Sequence, residues 1–173
     1  MTALIRIDPA WTPSEAGRRP KPIRFCSRCG HPSEEPPKRT DRITAERVCR
    51  RCGMGLMLST SREALPGTAA AFIIVTYELL VSAVSEAGEK FFGSEQAAVD
   101  THLLELLTSP LGDDLLARTV FQAAQRASEA SVLPARLTSQ RAGRVGTLAA
   151  RVATCGPPRA ALVTVEPSEF GRR

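Results

Sequence analysis

The sequence has few aromatic residues and no long apolar run, and each shortage excludes a class of protein. Aromatic side chains make up 5% of the 173 residues, with one Trp and one Tyr. This argues against a surface of stacked aromatics for single-stranded nucleic acid. No apolar run approaches the ~20 residues that a membrane-spanning helix needs, so we expect no membrane association. Residues 1–11 carry Asp8 and do not resemble a secretory signal, which favours a cytoplasmic protein.

The residues that usually carry catalysis are also scarce. The chain has two histidines, and neither lies in a recognisable nucleophile motif. The phosphate-binding loop and the kinase signatures are missing from the sequence, and its carboxylates are scattered. Apolar residues still make up 43% of the chain, which suits a folded protein rather than a disordered tail. We therefore expect a folded protein that is not an enzyme.

Charge and proline divide the chain in the same region. Residues 1–62 have a formal charge of +7, whereas residues 63–173 have a charge of −2. Prolines punctuate residues 1–24, which we interpret as a disordered, basic, proline-rich arm. Small and polar residues at 59–67, ending in Pro66 and Gly67, indicate a linker. The basic third is either a solvated surface or a contact for nucleic acid.

Four of the five cysteines form two C-x-x-C pairs. Cys26 and Cys29 make the first pair, Cys49 and Cys52 the second, and 19 residues separate the pairs. This spacing is typical of a four-cysteine zinc site, in which each tight turn directs two sulfurs at one ion. A glycine follows each pair and can adopt the positive φ that such a turn requires. We predict a structural zinc ion, with iron as the alternative, and no open position for water.

The cysteine pattern resembles a zinc ribbon over residues 25–58. Segments 46–49 and 55–58 suit its short strands, and the metal replaces a core that ~30 residues cannot build. Arg28, Arg50 and Arg51 lie within the two turns. We interpret them either as charges that offset the four thiolates or as candidate phosphate contacts. His31 follows the first pair, and we expect it to be a surface residue because four cysteines already complete the site.

Residues 68–166 alternate between strand and helix patterns. Five segments have the apolar or alternating pattern of strands: 71–75, 79–85, 132–138, 144–154 and 160–165. Three segments have helical patterns: 85–92, 94–99 and 113–130. Pro134 indicates an edge position for its strand. The order predicts an α+β domain, followed by a tail at 167–173.

This order resembles a PAS domain, and the most specific part lies at 72–93. The run FIIV at 72–75 is followed by LVSAVSEAGEKFFG at 80–93, a strand and then a small helix that ends in an apolar pair and glycine. Ser85 stands where such domains often have Asn. The resemblance implies a five-stranded antiparallel sheet with helices on one face. It also implies either a pocket for an unidentified ligand or a role in protein pairing.

A pocket between sheet and helices would be lined by six apolar residues: Phe72, Ile74, Phe91, Leu104, Leu107 and Phe121. Their default role is core packing. His102 is the only histidine of this half, and we expect an ordinary helix or turn histidine rather than a haem ligand. Cys155 is expected to be an unpaired thiol, as in a reducing compartment.

The two modules together favour a non-enzymatic regulatory or signalling protein. A structural zinc ribbon would be joined to a PAS-like sensory or interaction domain, which acts as a homodimer or through another protein. The first alternative is a transcription-related regulator whose basic ribbon binds nucleic acid. The second alternative is a redox sensor whose thiols release the metal on oxidation.

Overall fold

The computed structural model describes residues 22–33, 47–126, 129–138 and 146–168. These residues form one three-stranded and one six-stranded antiparallel sheet, together with short helices. The predicted α+β class is therefore confirmed, although the larger sheet has six strands rather than five. No helix in the described part of the chain is long and apolar enough to cross a membrane.

The small sheet holds the cysteine pairs. Its strands are β1 (Ile23–Cys26), β2 (Pro32–Ser33) and β3 (Met57–Thr60), in the order β2-β1-β3. Ile23 and Arg24 thus lie in a strand rather than in the predicted arm, whose residues 1–21 fall outside the described range. Ser59 and Thr60 continue β3 instead of starting the predicted linker, because they pair with Arg24 and Ile23 of β1. A 3₁₀ turn follows at Arg62–Ala64.

The larger sheet has the strand order β5-β4-β9-β8-β7-β6. Its six strands are β4 (Ala71–Val75), β5 (Val81–Val84), β6 (Leu107–Thr108), β7 (Ser131–Leu137), β8 (Leu148–Cys155) and β9 (Ala160–Pro167). The extra strand, β6, is two residues long and pairs only with Arg136 and Leu137. β7 is not the last strand of the sheet, but β6 ends before it reaches Pro134. The proline therefore pairs with β8 on one side and meets no β6 residue on the other, where its missing N–H costs no ladder hydrogen bond.

Four α-helices lie in the described part of this region. They are α1 (Glu89–Phe92), α2 (Glu95–Ala98), α3 (Leu103–Leu106) and α4 (Asp113–Gln125). Gly93 ends α1 with a φ of +88°, as its position in the sequence indicates. The predicted long helix ends five residues early, because Arg126 already has the extended backbone that leads toward β7. The predicted strand at 144–154 begins at Leu148, and its first residues lie partly outside the described range.

The central strands are buried on both faces. In β4, Ala71, Ile73 and Val75 belong to the core shared with the helices, whereas Phe72 and Ile74 belong to a second core. That second core contains Phe25 and Leu58 of the small sheet. Because successive side chains of a strand point to opposite faces, the helices cover one face of the larger sheet and the small sheet covers the other.

Hydrogen bonds and an aromatic contact join the two sheets. The rings of Phe25 and Phe72 meet edge to face, with their centroids 5.9 Å apart. The backbones of Ser59 and Gly156 exchange two hydrogen bonds of 2.6 and 3.0 Å. Thr60 Oγ1 donates to the carbonyl of Thr154 at 2.9 Å. The cysteine region and the PAS-like region therefore pack as one unit through these contacts.

We predict that Phe72→Ala destabilises the whole described unit. Phe72 is 0% exposed, and removing a buried aromatic ring costs about 3–5 kcal/mol of unfolding free energy. Chemical denaturation should show one cooperative transition with a lower midpoint. Phe121→Ala removes the same atoms from a side chain that is 40% exposed, and it should change stability by no more than about 0.5 kcal/mol. Equal effects of the two substitutions would contradict this account of the interface.

Candidate metal centre and its contact with the sheet

The two C-x-x-C turns have the same backbone geometry. The N–H of Gly30 donates to the carbonyl of Cys26 at 3.0 Å, and Gly53 donates to Cys49 at 2.8 Å. Both glycines have positive φ values, +68° and +70°. This backbone conformation is easy for glycine and strained for other residues, so the predicted reason for the two glycines holds in the structure.

The turns bring the four cysteine sulfurs together. The Sγ atoms of Cys26, Cys29, Cys49 and Cys52 all lie within 4.8 Å of one another. The Cys26–Cys52 pair is 3.6 Å apart and the Cys29–Cys49 pair is 3.9 Å apart. A tetrahedral ion with metal–sulfur bonds of about 2.3 Å requires sulfurs about 3.8 Å apart. The cluster therefore fits one tetrahedral metal ion.

Backbone N–H groups point at the sulfurs and favour their charged form. Arg28 and Cys29 donate to Cys26 Sγ at 3.3 and 3.4 Å, and Gly55 donates to Cys52 Sγ at 3.4 Å. Burial raises the pKa of Cys52, but the N–H groups of Gly55 and Met54, together with hydrogen bonds from the side chains of Cys26 and Cys29, outweigh it and lower this pKa to about 6. Burial dominates at Cys26 and raises its pKa. A bound cation would hold all four groups as thiolates.

Gly55 closes the cluster and was not identified from the sequence. A Cβ atom at this position would overlap Cys26 Sγ and would come within 2.7 Å of the Cβ of Arg28. The neighbouring Leu56 exchanges hydrogen bonds with Ser27 across the two turns, at 2.8 and 3.0 Å. Glycine at 55 is thus needed for close approach of the two turns. The sequence does show a second glycine after the Cys49–Cys52 pair. The reason for that glycine is its closeness to Cys26, which lies 29 positions earlier in the chain.

Arg28 faces the PAS-like region and not the solvent. Its Nη1 donates to Glu89 Oε1 at 2.9 Å and to Glu95 Oε2 at 3.1 Å. The hydrogen bond from Arg28 is the main cause of the lowered pKa of Glu89. The same bond raises the pKa of Arg28. These two ion pairs give the Arg28 guanidinium a role within the protein, and its predicted contact with phosphate stays a prediction.

Through Arg28, the first cysteine turn is linked to two single-turn helices. Glu89 belongs to α1 and Glu95 to α2, and the N–H of Glu95 donates to Glu89 Oε1 at 3.0 Å. Glu95 Oε1 also accepts from the N–H of Val84 in β5 at 3.4 Å. The carbonyl of Arg28 accepts from the N–H of Glu86 at 2.8 Å. The position of α1 and α2 thus depends on a residue that lies between two candidate metal ligands.

Arg50 and Arg51 lie elsewhere on the cysteine region. Both are exposed, and Arg51 Nη1 is 3.2 Å from His31 Nδ1. His31 is thus a neighbour of the metal cluster and not part of it. Nothing in the geometry of Arg50 and Arg51 conflicts with their prediction as phosphate contacts, which stays a prediction.

The six predicted pocket residues do not line one cavity. Phe72 and Ile74 face the small sheet, on the opposite side from the helices. Leu107 is buried among the helices, with Phe91 and Leu104 packed beside it. Phe121 is 40% exposed, because it lies on the far side of α4 from Leu116 and Val120. The pocket prediction failed at Phe72 and Ile74 because alternate residues of β4 belong to different hydrophobic cores, and these two belong to the core shared with the small sheet.

A cleft of about 260 Å³ lies instead where the first cysteine turn meets the PAS-like region. Residues from both regions line it: Arg28, Cys29, Thr68, Ala69, Ala70, Ser85, Glu86, Ala87 and Lys90. None of the six predicted pocket residues is among them. Ser85, which stands at the unusual position of the PAS-like motif, accepts from the N–H groups of Phe72 and Gly88. Its hydroxyl therefore joins β4 to the start of α1.

His102 and Cys155 have structural roles. His102 Nδ1 accepts from the N–H of Leu104 at 3.3 Å and so caps α3. Cys155 is buried at the interface with the small sheet, and burial raises its pKa to about 12. A thiol with so high a pKa remains protonated and unreactive at neutral pH.

Comparison with known proteins gives structural similarity without sequence similarity. No protein-family model matches the chain, and no curated protein matches it. One similar solved structure is the PAS domain of nitrogen regulation protein NR(II) from Vibrio parahaemolyticus. It has 17% identity and a TM-score of 0.46, and the match covers 63% of this chain and 100% of that one.

Another similar structure is the PAS domain of the Cronobacter turicensis RpfR quorum-sensing receptor in complex with BDSF. It has 12% identity and a TM-score of 0.46, and the match covers 60% of this chain and 97% of that one. Both similar structures are PAS domains, the family whose resemblance the motif at 72–93 indicated.

We predict that the purified protein binds one divalent metal ion per chain through the four clustered cysteines. Cys49→Ser should abolish stoichiometric binding, measured by elemental analysis, because a tetrahedral thiolate site loses one ligand. Cys155→Ala is the matched control and should retain the metal. The same elemental analysis would distinguish zinc from iron. Full metal content in Cys49→Ser would contradict the assignment.

We predict that Arg28→Gln lowers the melting temperature by on the order of 2–4 °C, the scale of one partly exposed charged contact. Glu89 has a lowered pKa in the folded protein, so its contribution is present above its ordinary value of 4.5 and is lost as pH falls through the lowered value. The difference between wild type and Arg28→Gln should therefore narrow in acid. Arg50→Gln, at an exposed arginine of the other turn, serves as the control. A difference that does not change with pH would argue against the ion pair.

Proposed function

We propose that this protein is a non-enzymatic, cytoplasmic regulatory protein in which a structural zinc ion organises a PAS-like sensory or interaction domain. The observation that carries the proposal is the contact between the two regions. A four-sulfur cluster lies at one end of the small sheet, and the other part of that sheet covers the apolar outer face of β4 and β9. The metal thus supports a surface that the PAS-like domain itself needs.

The donor set supports a structural metal. Four sulfurs complete a tetrahedral shell, so no position remains at which the metal could activate water or substrate. Zinc suits this set, since it binds thiolates strongly and has no redox chemistry of its own. The residues that would hold it are Cys26, Cys29, Cys49 and Cys52.

The remaining chemistry also supports a role without catalysis. His31 neighbours Arg51 and His102 caps α3, so both histidines have non-catalytic roles that fit their surroundings. None of the five cysteines, all of which lie in the described residues, forms a disulfide. Free thiols of this kind are typical of reducing compartments, which supports the cytoplasm as the location.

A redox sensor is the second candidate, and the contact of Arg28 favours it. Oxidation of the thiolates would release the metal and loosen the first cysteine turn. That turn carries Arg28, which holds α1 and α2 through Glu89 and Glu95. Loss of the metal would therefore be transmitted to the helical side of the PAS-like region. Retention of the metal under peroxide would remove this candidate.

The partner of such a protein is another macromolecule. We propose a second copy or another protein as the partner, because a regulatory protein without catalysis of its own acts through contact. Nucleic acid is the alternative, and the exposed Arg50 and Arg51 support it, whereas Arg28 is engaged elsewhere. Binding to nucleic acid would weaken steeply with salt.

We predict that removal of the metal loosens α1 and α2 but not α4. Hydrogen–deuterium exchange of the metal-loaded protein should show protection at 49–60, 89–98 and 113–125. A strong chelator should increase exchange at 49–60 and 89–98 by tenfold or more, because each ~1.4 kcal/mol of lost local stability is a factor of ten in exchange. Exchange at 113–125 should change little, since α4 packs on β8 and β9, on the face of the larger sheet opposite the small sheet.

The control for this experiment is Arg28→Gln with the metal bound. It should increase exchange at 89–98 while leaving 49–60 protected, since it breaks the link and keeps the ligands. Unchanged exchange at 89–98 after chelation would contradict the proposed coupling. Loss of protection along the whole chain would show that the metal stabilises the fold as a unit, without a local pathway.

A further inference from the structure

The second cysteine turn ends in an exposed surface that is both apolar and basic, which we name the tip patch. It consists of Val48, Met54 and Leu56 together with Arg47, Arg50 and Arg51. The three apolar side chains are 39%, 72% and 50% exposed, respectively. All three arginines are exposed, and residues 47–60 contain no acidic residue. The patch therefore combines exposed apolar side chains with positive charge.

The apolar members of the tip patch lie side by side. Val48 and Leu56 are partners in an antiparallel bridge, so their side chains share one face. Met54 lies in the turn that connects the last metal ligand to Leu56. The turn is fixed by the hydrogen bonds of Gly53 and Gly55 within the metal cluster. A rigid, apolar and charged surface of this kind is typical of a protein-binding site.

A surface of opposite character lies at the start of α4, and we name it the α4 patch. It consists of Leu111, Asp113, Asp114 and Leu115, all of which are exposed. Leu111 is 61% exposed and Leu115 is 38% exposed. The residues from Pro110 to Leu115 carry two carboxylates and no basic side chain. The α4 patch thus has the apolar content of the tip patch and the opposite charge.

We propose that the tip patch of one molecule docks on the α4 patch of a second copy of this chain. The two patches lie on opposite sides of the larger sheet, because the small sheet covers one face and α4 packs on the other. They therefore cannot meet within one molecule. The contact joins two different patches that face opposite ways, so it is head-to-tail, and repeated contacts would build a chain or close into a ring. The inference rests on the proposed function, since it specifies the partner.

The observations favour a protein partner over nucleic acid at this surface. Phosphate recognition uses the arginines but gives no role to the exposed Met54 and Leu56. An apolar centre with a charged rim is instead the usual composition of a protein interface. The outer face of β4, an obvious surface for pairing, is already covered by Phe25 and Leu58. That face of β4 is therefore not free for pairing, whereas the tip patch and the α4 patch are exposed.

The test is self-association of the metal-loaded, full-length chain, measured by analytical ultracentrifugation over a concentration series. Wild type should associate reversibly and less strongly as salt rises. Arg50→Glu and Asp114→Arg each place like charges opposite one another, and each should weaken association by about tenfold or more. The chain that carries both substitutions again has opposite charges at positions 50 and 114. It should therefore recover most of the lost association. Asp113 is left unchanged because its Oδ1 accepts a hydrogen bond from the N–H of Ser109 at 3.0 Å.

The controls separate this inference from the proposed function. Arg62→Glu changes an exposed arginine outside both patches by the same charge and should have no effect. Metal content is measured for every variant, and Asp114→Arg tests the interface without touching the cysteine turns. A metal-loaded wild type that stays monomeric at all concentrations would overturn the inference and leave the structural metal intact. Self-association of unchanged strength in both Arg50→Glu and Asp114→Arg would also overturn the inference. So would a protein that stays monomeric and binds duplex DNA through the tip patch.

Discussion

The burial of Phe72 and Ile74 beneath the small sheet is the contact on which the rest of the structure depends. These side chains form an apolar outer face on β4, and an uncovered face of this kind would favour aggregation. The small sheet covers them with Phe25 and Leu58 but is itself too small to bury a core of its own. Its four clustered sulfurs could hold a metal ion, which would add the cohesion that a small core lacks. The larger sheet, in turn, offers the apolar surface on which Phe25 and Leu58 pack.

The electrostatic contacts follow the same division. Arg28 lies between two candidate ligands, where it was expected to offset the charge of the thiolates. Its guanidinium instead forms ion pairs with Glu89 and Glu95. Backbone N–H groups donate hydrogen bonds to the Cys26 sulfur in its place. A metal–thiolate cluster supported by backbone dipoles does not need a neighbouring cation. The arginine is thereby available to link the cysteine turn to α1 and α2, which are too short to be stable alone.

Local patterns predicted the turns and the class of fold, whereas contacts between distant residues were not predictable. The C-x-x-C-G spacing depends only on neighbours, so the cluster of Cys26, Cys29, Cys49 and Cys52 could be inferred. The pairing of Arg28 with Glu89 spans 61 residues and leaves no periodic trace. The prediction that six apolar residues line one pocket failed for a related reason. The apolar run at 71–75 identifies a strand buried on both faces, but it does not say what covers each face.

Two-sided burial also changes what a PAS-like domain of this kind can do. A sheet with a free outer face can pair with another protein there, but here the small sheet occupies that face over β4 and β9. The other face is filled by Leu116 and Val120 of α4 and by the residues around α3. The cleft lined by residues of both regions lies where they meet, beside Arg28 and the first cysteine turn. Arg28 also contacts Glu89 of α1 and Glu95 of α2 there, so the cleft, the two short helices and the first pair of cysteines belong to one set of contacts.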